Sequence, residues 1–159
     1  MPATLRSNNG EAEFTVEFRE YIDYASEAGF ESAIQLRGQH WDGDHTHPLS
    51  GSIDGLWLRS ADLKGIRDHI SHWLDRPLNY LVAEELNREF ELARLPGQTI
   101  RIRIGPRQDT TSHLNPVVSI TFSAGGLRGE FHFVTDQSCL ALFARELSAQ
   151  LAESDEKAV

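Results

Sequence analysis

The chain contains few of the residues that build redox, metal or membrane sites. Only one of its 159 residues is a cysteine, Cys139, which excludes an intramolecular disulfide and a multi-cysteine zinc or iron–sulfur site. No apolar run approaches the roughly 18 residues that a membrane-spanning helix needs. Residues 1–13 contain one arginine and no apolar segment, unlike a secretory signal. These absences predict a cytoplasmic protein that does not enter a membrane.

Basic residues are also scarce. The chain has 15 Lys and Arg against 24 Asp and Glu, which gives a formal net charge of -9 and a pI near 5.2. Nucleic-acid binding usually needs a basic surface that displaces counterions from phosphates. The charge therefore predicts that nucleic acid is not a partner, and it favours a basic protein partner attracted by electrostatic steering. The sequence contains no coiled-coil seam and leaves the oligomeric state open.

The overall composition is that of an ordinary globular domain, with 40% hydrophobic and 25% charged residues. The chain has no internal repeat and no low-complexity segment, which argues against a solenoid or propeller. The small and polar residues at both ends predict frayed termini over residues 1–12 and 153–159. Residues 13–152 are predicted to form a single domain.

Hydrophobic periodicity predicts seven strands and two main helices. The strands alternate apolar and polar residues over 14–21, 30–41, 52–59, 88–92, 99–104, 116–123 and 128–135. Apolar residues at helical spacing predict helices over about 60–76 and 136–152. Ser60 is expected to cap the first helix, and Gly55 suggests a bulge in the strand before it. Residues 78–88 are ambiguous, with a short helix as the preferred interpretation.

The order of these elements predicts an α+β fold. Short turns join most consecutive strands, and such turns produce antiparallel pairs. Grouped strands argue against a doubly wound parallel sheet, in which strands and helices alternate. We therefore expect a curved antiparallel sheet or open sandwich, with the two amphipathic helices covering its apolar surface.

The segment His-Trp-Asp-Gly-Asp-His-Thr-His-Pro at residues 40–48 is the most unusual in the chain. Imidazole and carboxylate groups are common metal ligands, and the candidates are His40, Asp42, Asp44, His45 and His47. In an extended chain His45 and His47 point the same way, and a bound divalent metal such as zinc would activate water for hydrolysis. The segment is also rich in turn-forming residues, and no H-E-x-x-H motif follows it. An ordinary polar loop is the preferred interpretation, and no cofactor is then expected.

A few other residues are candidates for ligand binding, and none is assigned to catalysis. Trp41, next to the histidine-rich segment, is a candidate contact residue. Arg107 and His113 lie in a polar loop at 105–115, which together with Trp41 would line the mouth of a curved sheet. Arg101 and Arg103 alternate with isoleucines and are interpreted as a solvated strand face. The absence of a G-x-S-x-G elbow or a phosphate-binding loop favours a protein that is not an enzyme.

Three local patterns resemble a group of small bacterial proteins that includes immunity proteins of the WapI type. They are the Gly-Leu-Trp-Leu-Arg-Ser-Ala-Asp-Leu step at residues 55–63, Phe90-x-Leu92 before a turn, and Thr135-Asp136 leading to Leu140 and Phe143. The resemblance covers residues 14–151 and rests on element order and spacing. It implies a non-enzymatic interaction protein that neutralises a cognate toxin, and no functional residue transfers with it. The alternative is a metal-binding protein or metal-dependent hydrolase that uses residues 40–47.

Overall fold

The computed structural model describes residues 2–24, 26–75, 88–93, 98–105, 116–124 and 126–157, which form two antiparallel four-stranded sheets and two helices. The first sheet contains β1 (Ala3–Arg6), β2 (Glu13–Tyr21), β3 (Gly29–Trp41) and β4 (Thr46–Arg59). Helix α1 (Ser60–Leu74) follows it. The second sheet contains β5 (Arg88–Ala93), β6 (Gln98–Gly105), β7 (Val117–Ala124) and β8 (Leu127–Val134), and helix α2 (Gln137–Lys157) ends the fold.

This architecture confirms the predicted α+β class with antiparallel strands and two main helices. In each sheet every strand pairs with its neighbour in the chain, in the orders β1-β2-β3-β4 and β5-β6-β7-β8. The strands form two separate open sheets because α1 and the segment after it come between β4 and β5. The predicted helix at 78–88 lies almost wholly outside the described residues.

The core consists of the apolar face of each sheet and the apolar stripe of each helix. In both sheets alternate residues point to this core, as the pleat of a β-strand requires. On α1 the buried positions follow the predicted helical spacing, and on α2 they do the same. The largest fully buried side chains are Trp73, Phe14, Phe143, Leu5, Leu56, Leu58, Leu63, Ile66, Ile70, Leu92 and Ile102.

The start of α1 differs from the prediction that Ser60 is its N-cap. Ser60 is buried within the helix, its N–H donates to the carbonyl of Ala28 at 2.9 Å, and Arg59 is the N-cap. The Arg59 guanidinium holds the Asp62 carboxylate through two hydrogen bonds of 3.1 and 2.7 Å. Hydrogen bonds to Asp62 and Glu27 raise the pKa of Arg59. The first turn therefore carries an ion pair between side chains, and no described side chain caps its backbone N–H groups.

The N-terminal segment also departs from the prediction that residues 1–12 are frayed. Residues 3–6 form β1, which pairs with β2, and Ala3 and Leu5 are 0% exposed. Two long-range hydrogen bonds hold this strand: Thr4 N–H donates to Glu146 Oε2 at 2.8 Å, and Thr135 Oγ1 donates to the Arg6 carbonyl at 2.8 Å. Four residues are too short a run for an alternation to be recognised. Helix α2 likewise continues beyond its predicted end at 152.

The β3–β4 hairpin is the longest feature of the first sheet. Pairing continues to Trp41 and Thr46, so that residues 46–51, which lie outside the predicted strand at 52–59, belong to β4 and residues 42–45 form the tip. The bulge predicted at Gly55 is present: the register shifts there and Gly55 has a φ of 67°. In the described part of the chain, neither helix is long and apolar enough to cross a membrane.

Candidate nucleic-acid interface

The tip of the β3–β4 hairpin is organised by the carboxylate of Asp42. Its Oδ1 accepts backbone N–H groups from His45 at 2.8 Å and Asp44 at 2.9 Å, and Oδ2 lies 2.6 Å from His47 Nε2. These hydrogen bonds, the one from His45 first, lower the pKa of Asp42 to about 2. Such side-chain bonds to following backbone groups are typical of a tight turn. Asp42 therefore has a structural role that needs no metal.

The predicted metal ligands are only partly brought together. The rings of His45 and His47 are 6.5 Å apart, and His40 pairs with His47 through its backbone. Within the described ranges, no three His, Cys, Asp or Glu side chains are placed to hold a metal ion. The metal site and its zinc remain a prediction that this geometry does not support.

The predicted ligand-binding residues are not gathered into one site. Trp41 pairs with Thr46 at the end of the hairpin. Arg107 and His113 lie outside the described residues. The combination of Trp41 with the 105–115 loop remains a prediction.

The outer face of the second sheet has a pattern that the sequence analysis did not single out. Its central strand β7 presents the hydroxyls of Ser119, Thr121 and Ser123. An arginine on a neighbouring strand lies in register with each of them: Arg103 with Ser119, Arg101 with Thr121, and Arg128 with Ser123. We call these six residues the Arg–hydroxyl face. All three arginines are exposed.

Carboxylates are confined to the edges of this face. Strands β6 and β7 contain no Asp or Glu, whereas the edge strands carry Glu89, Glu91 and Glu130. Arg101 Nε lies 3.7 Å from Glu89 Oε1, at the long limit of an ion pair. Exposed pairs of this kind contribute little and leave the guanidinium accessible. In register, Glu89 lies beside Arg103 and Glu91 beside Arg101, so that the face carries as many carboxylates as arginines and is less acidic than the whole chain, whose net charge is -9.

His132 extends the face toward the β8 edge. Its Nδ1 lies 2.9 Å from Ser119 Oγ, and its Nε2 lies 3.0 Å from Glu130 Oε1. The order hydroxyl, imidazole, carboxylate is that of a nucleophilic triad. However, the His132 and Glu130 side chains are 50% and 63% exposed, on an open surface where water is not excluded. The contacts therefore serve to orient the imidazole.

Cys139 is the other candidate nucleophile, at the start of α2. Its N–H donates to Asp136 Oδ1 at 2.8 Å, and its thiol is half-buried. Burial, followed by the interaction with Asp136, raises the pKa of the Cys139 thiol. A raised pKa disfavours the reactive thiolate. The position therefore does not have the properties of an activated cysteine.

Comparison with known proteins gives distant structural neighbours only. No family model and no curated protein matches the chain. The plant transcriptional regulator PBF-2 is similar at a TM-score of 0.49 and 11% identity, covering 95% of this chain and 80% of that one. WHY1 from Arabidopsis thaliana is similar at a TM-score of 0.44 and 9% identity, covering 95% and 82%. The resemblance to WapI-type proteins remains a prediction.

These neighbours contradict two predictions. A chain that resembles a transcriptional regulator points away from the predicted non-enzymatic immunity-like module, and the exclusion of nucleic acid from its partners is also wrong. The basic protein partner remains a prediction. The error arose because a net charge sums the whole chain, whereas a ligand meets one surface. With TM-scores below 0.5, the likeness itself assigns no function to this chain.

Proposed function

We propose that this protein binds single-stranded nucleic acid on the Arg–hydroxyl face. The observation that supports the proposal is the register of the second sheet. Each of the three arginines lies directly opposite a hydroxyl of β7: Arg101, Arg103 and Arg128. Arg101 and Arg103 lie on the interior strand β6, and Arg128 lies on the edge strand β8.

The chemistry of the six side chains suits a phosphate backbone. A guanidinium offers five N–H donors and remains charged at all physiological pH values. Ser and Thr hydroxyls donate to phosphate oxygens, and contacts of these types position a protein on nucleic acid. Because Ser119, Thr121 and Ser123 are neutral, they satisfy phosphate oxygens without neutralising the neighbouring arginines.

The shape of the face favours a single strand over a duplex. Four strands spaced about 4.8 Å apart give a face about 14 Å wide, which exceeds the major-groove width of about 12 Å. A single strand can lie on such a surface, as single strands do on the open sheets of other binding modules. The net charge of -9 disfavours phosphate contact with the rest of the chain.

Fluorescence anisotropy with labelled 12-nucleotide oligomers tests the proposal. We expect binding at 50 mM salt that weakens about 20-fold at 200 mM, because three phosphate contacts on a single strand give a slope near -2 in log–log form. The variant Arg101→Gln/Arg103→Gln should lose at least about tenfold in affinity and flatten that slope. A matched duplex should bind more weakly. The predicted cytoplasmic location would give the face access to RNA, and cell fractionation tests it.

A charge-matched control separates this face from a general charge effect. Arg19→Gln/Arg37→Gln removes the same two charges from the first sheet, where Arg37 lies 3.7 Å from Glu13 and Arg19 pairs with Asp54. We expect this variant to bind within about twofold of the wild type, apart from a small change due to net charge. No binding by the wild type at 50 mM salt, or an equal loss in both double variants, would overturn the proposal.

A further inference from the structure

A polar cleft lies next to the Arg–hydroxyl face, between the β1–β2 turn, strand β3 and strand β8. Its volume is about 300 Å³, at the small end of the range for ligand sites. His132 belongs both to this cleft and to the outer face, where it contacts Ser119. The cleft is lined by Ser7, Asn8, Asn9, Glu11, Ala12, Gln39, His132, Phe133 and Val134. A strand on the face would therefore reach the cleft at His132.

We infer that the cleft takes one nucleobase of the bound strand, with preference for a base that carries an exocyclic amino group. The inference rests on the proposed function and adds to it a site that distinguishes bases. Phosphate contacts alone carry no base information, so that any preference must come from groups that meet base edges. The cleft supplies such groups at the end of the row Arg103, Ser119 and His132.

Two amide side chains in the cleft are available to a ligand. Among the described residues, Asn8 and Gln39 have no side-chain hydrogen-bond partner, and both line the cleft. An amide offers one acceptor oxygen and two N–H donors, which match the mixed donors and acceptors of a base edge. The amide of Asn9, in contrast, is used within the turn, where its oxygen accepts from Ser7 Oγ at 2.7 Å. The cleft thus combines free amides with a fixed wall.

The carboxylate of Glu11 determines which part of the strand enters. A negative charge in the lining of the cleft repels phosphate and accepts a hydrogen bond from an amino group instead. Glu11 Oε2 accepts from Asn9 Nδ2 at 3.1 Å, which holds the carboxylate in place. Cytosine has an exocyclic amino group where thymine has a carbonyl oxygen. Glu11 therefore favours cytosine over thymine.

The wall of the cleft is held by hydrogen bonds within the chain. Ser7 N–H donates to the Ala12 carbonyl at 2.8 Å, and Ala12 N–H donates to Ser7 Oγ at 2.9 Å. Asn8 N–H donates to the Val134 carbonyl at 2.9 Å, which joins the turn to β8. A preorganised wall lowers the entropy that binding has to overcome. The cleft is consequently a built feature of the fold and not a gap between mobile loops.

The test compares oligo-dC with oligo-dT of 12 nucleotides at pH 7.5, by the same anisotropy assay. We expect the wild type to bind oligo-dC about fivefold or more tightly, as one specific base contact provides. Glu11→Ala should reduce that ratio to within about twofold, and Asn8→Ala/Gln39→Ala should do the same with the salt dependence unchanged. Gln35→Ala, in the same strand but outside the cleft, is the matched control and should keep the ratio.

The outcomes separate this inference from the proposed function. A wild type that binds both oligomers equally, or cleft variants that keep the full preference, would overturn the nucleobase site while the phosphate face stands. A wild type that binds neither oligomer would overturn both. Circular dichroism of each variant checks that it is folded. Substitution of Asn8, Glu11 and Gln39 should leave the fold intact, because all three side chains are exposed.

Discussion

The two sheets have the same topology and apolar inner faces, yet their outer faces differ. On the first sheet Glu13, Glu17 and Glu31 lie on the outer face, and Glu20 lies directly opposite Glu31. On the second sheet the middle of the outer face carries arginines and hydroxyls. Both surfaces are built by the same alternation of the pleat. The fold therefore places few demands on the outward positions, which are free to carry function.

The partners of the arginines differ between the two sheets as well. In the first sheet Glu13 lies between Arg6 at 3.8 Å and Arg37 at 3.7 Å, and Arg59 is held by Asp62 and Glu27. In the second sheet Arg101 and Arg103 each lie between a glutamate of β5 on one side and a neutral hydroxyl of β7 on the other. Ion pairs occur in both sheets, since Arg101 Nε lies 3.7 Å from Glu89 Oε1, the same separation as between Arg37 and Glu13, and the hydroxyl neighbours are what distinguish the second sheet. Net charge alone does not reveal this difference.

Core truncation should be the most damaging change and should affect both sheets equally. Leu58 in the first sheet and Ile102 in the second are both 0% exposed. We expect Leu58→Ala and Ile102→Ala each to lower the free energy of unfolding by about 2–5 kcal/mol, because each leaves a cavity. Urea denaturation followed by far-UV circular dichroism measures this. A two-step transition in either variant would show that the sheets unfold separately.

The second largest effect on stability is expected from alanine substitution of two glycines that lie beneath aromatic rings, one in each sheet. A Cβ at Gly129 would lie 2.0 Å from the Phe122 ring, and one at Gly29 would lie 2.4 Å from the Trp57 ring. Phe122 packs against the core, whereas half-buried Trp57 can move outward if it gives up its bond to the Ile22 carbonyl. Gly129→Ala should therefore cost about 2–3 kcal/mol and Gly29→Ala about 1 kcal/mol. Equal melting temperatures for the two variants would contradict this order.

The link between the sheets should respond to removal of one hydroxyl. Thr135, which is 0% exposed after β8, donates to the Arg6 carbonyl in β1. Thr135→Val should destabilise the protein by about 1–2 kcal/mol, because a buried acceptor loses its donor. Thr121→Val on the outer face is the matched control, with an expected change below about 0.5 kcal/mol. Thermal denaturation of both variants measures the two changes in stability. Equal losses of stability would mean that the hydrogen bond between Thr135 and Arg6 contributes nothing beyond an ordinary surface hydroxyl.

The smallest effect is expected at the hairpin tip, through the titration of Asp42. Its folded pKa of about 2 lies below the unfolded value of 3.8. The stabilisation is therefore complete above pH 3.8 and disappears as the pH falls toward 2. NMR of the Asp42 carboxyl carbon should give a titration midpoint near pH 2. The variant His47→Ala should keep most of the lowering of the Asp42 pKa, since the hydrogen bond from the His45 N–H is its largest cause. A midpoint near 4 in the wild type would show that the turn is not formed.

The local elements were largely predictable. The stripe Leu63, Ile66 and Ile70 confirms the first helix because helical spacing is written in consecutive residues. The bulge at Gly55 was predictable for the same reason, since a glycine inside a strand pattern has few other uses. The sequence did not predict strand β1 or the first six residues of β4. Both depend on pairing with residues that lie far along the sequence.

The candidate site was much less predictable. Alternation placed Arg101 and Arg103 on a polar face, yet their partners across the sheet come from β7, whose register a sequence does not specify. A signal was present in the spacing Ser119-x-Thr121-x-Ser123, which repeats hydroxyls on one face. The histidine-rich segment was conspicuous in the sequence, but its Asp42 is used to form a turn.

The sequence by itself determined the α+β class, the two amphipathic helices and which residues of each strand face the core, because these follow from periodicities of 2 and 3.6 within short segments. Only the tertiary structure decided that the strands divide into two sheets and that residues 3–6 join the first sheet. It also decided that three arginines lie in register with three hydroxyls. Those outcomes depend on contacts between distant segments. A local pattern limits such contacts without selecting among them.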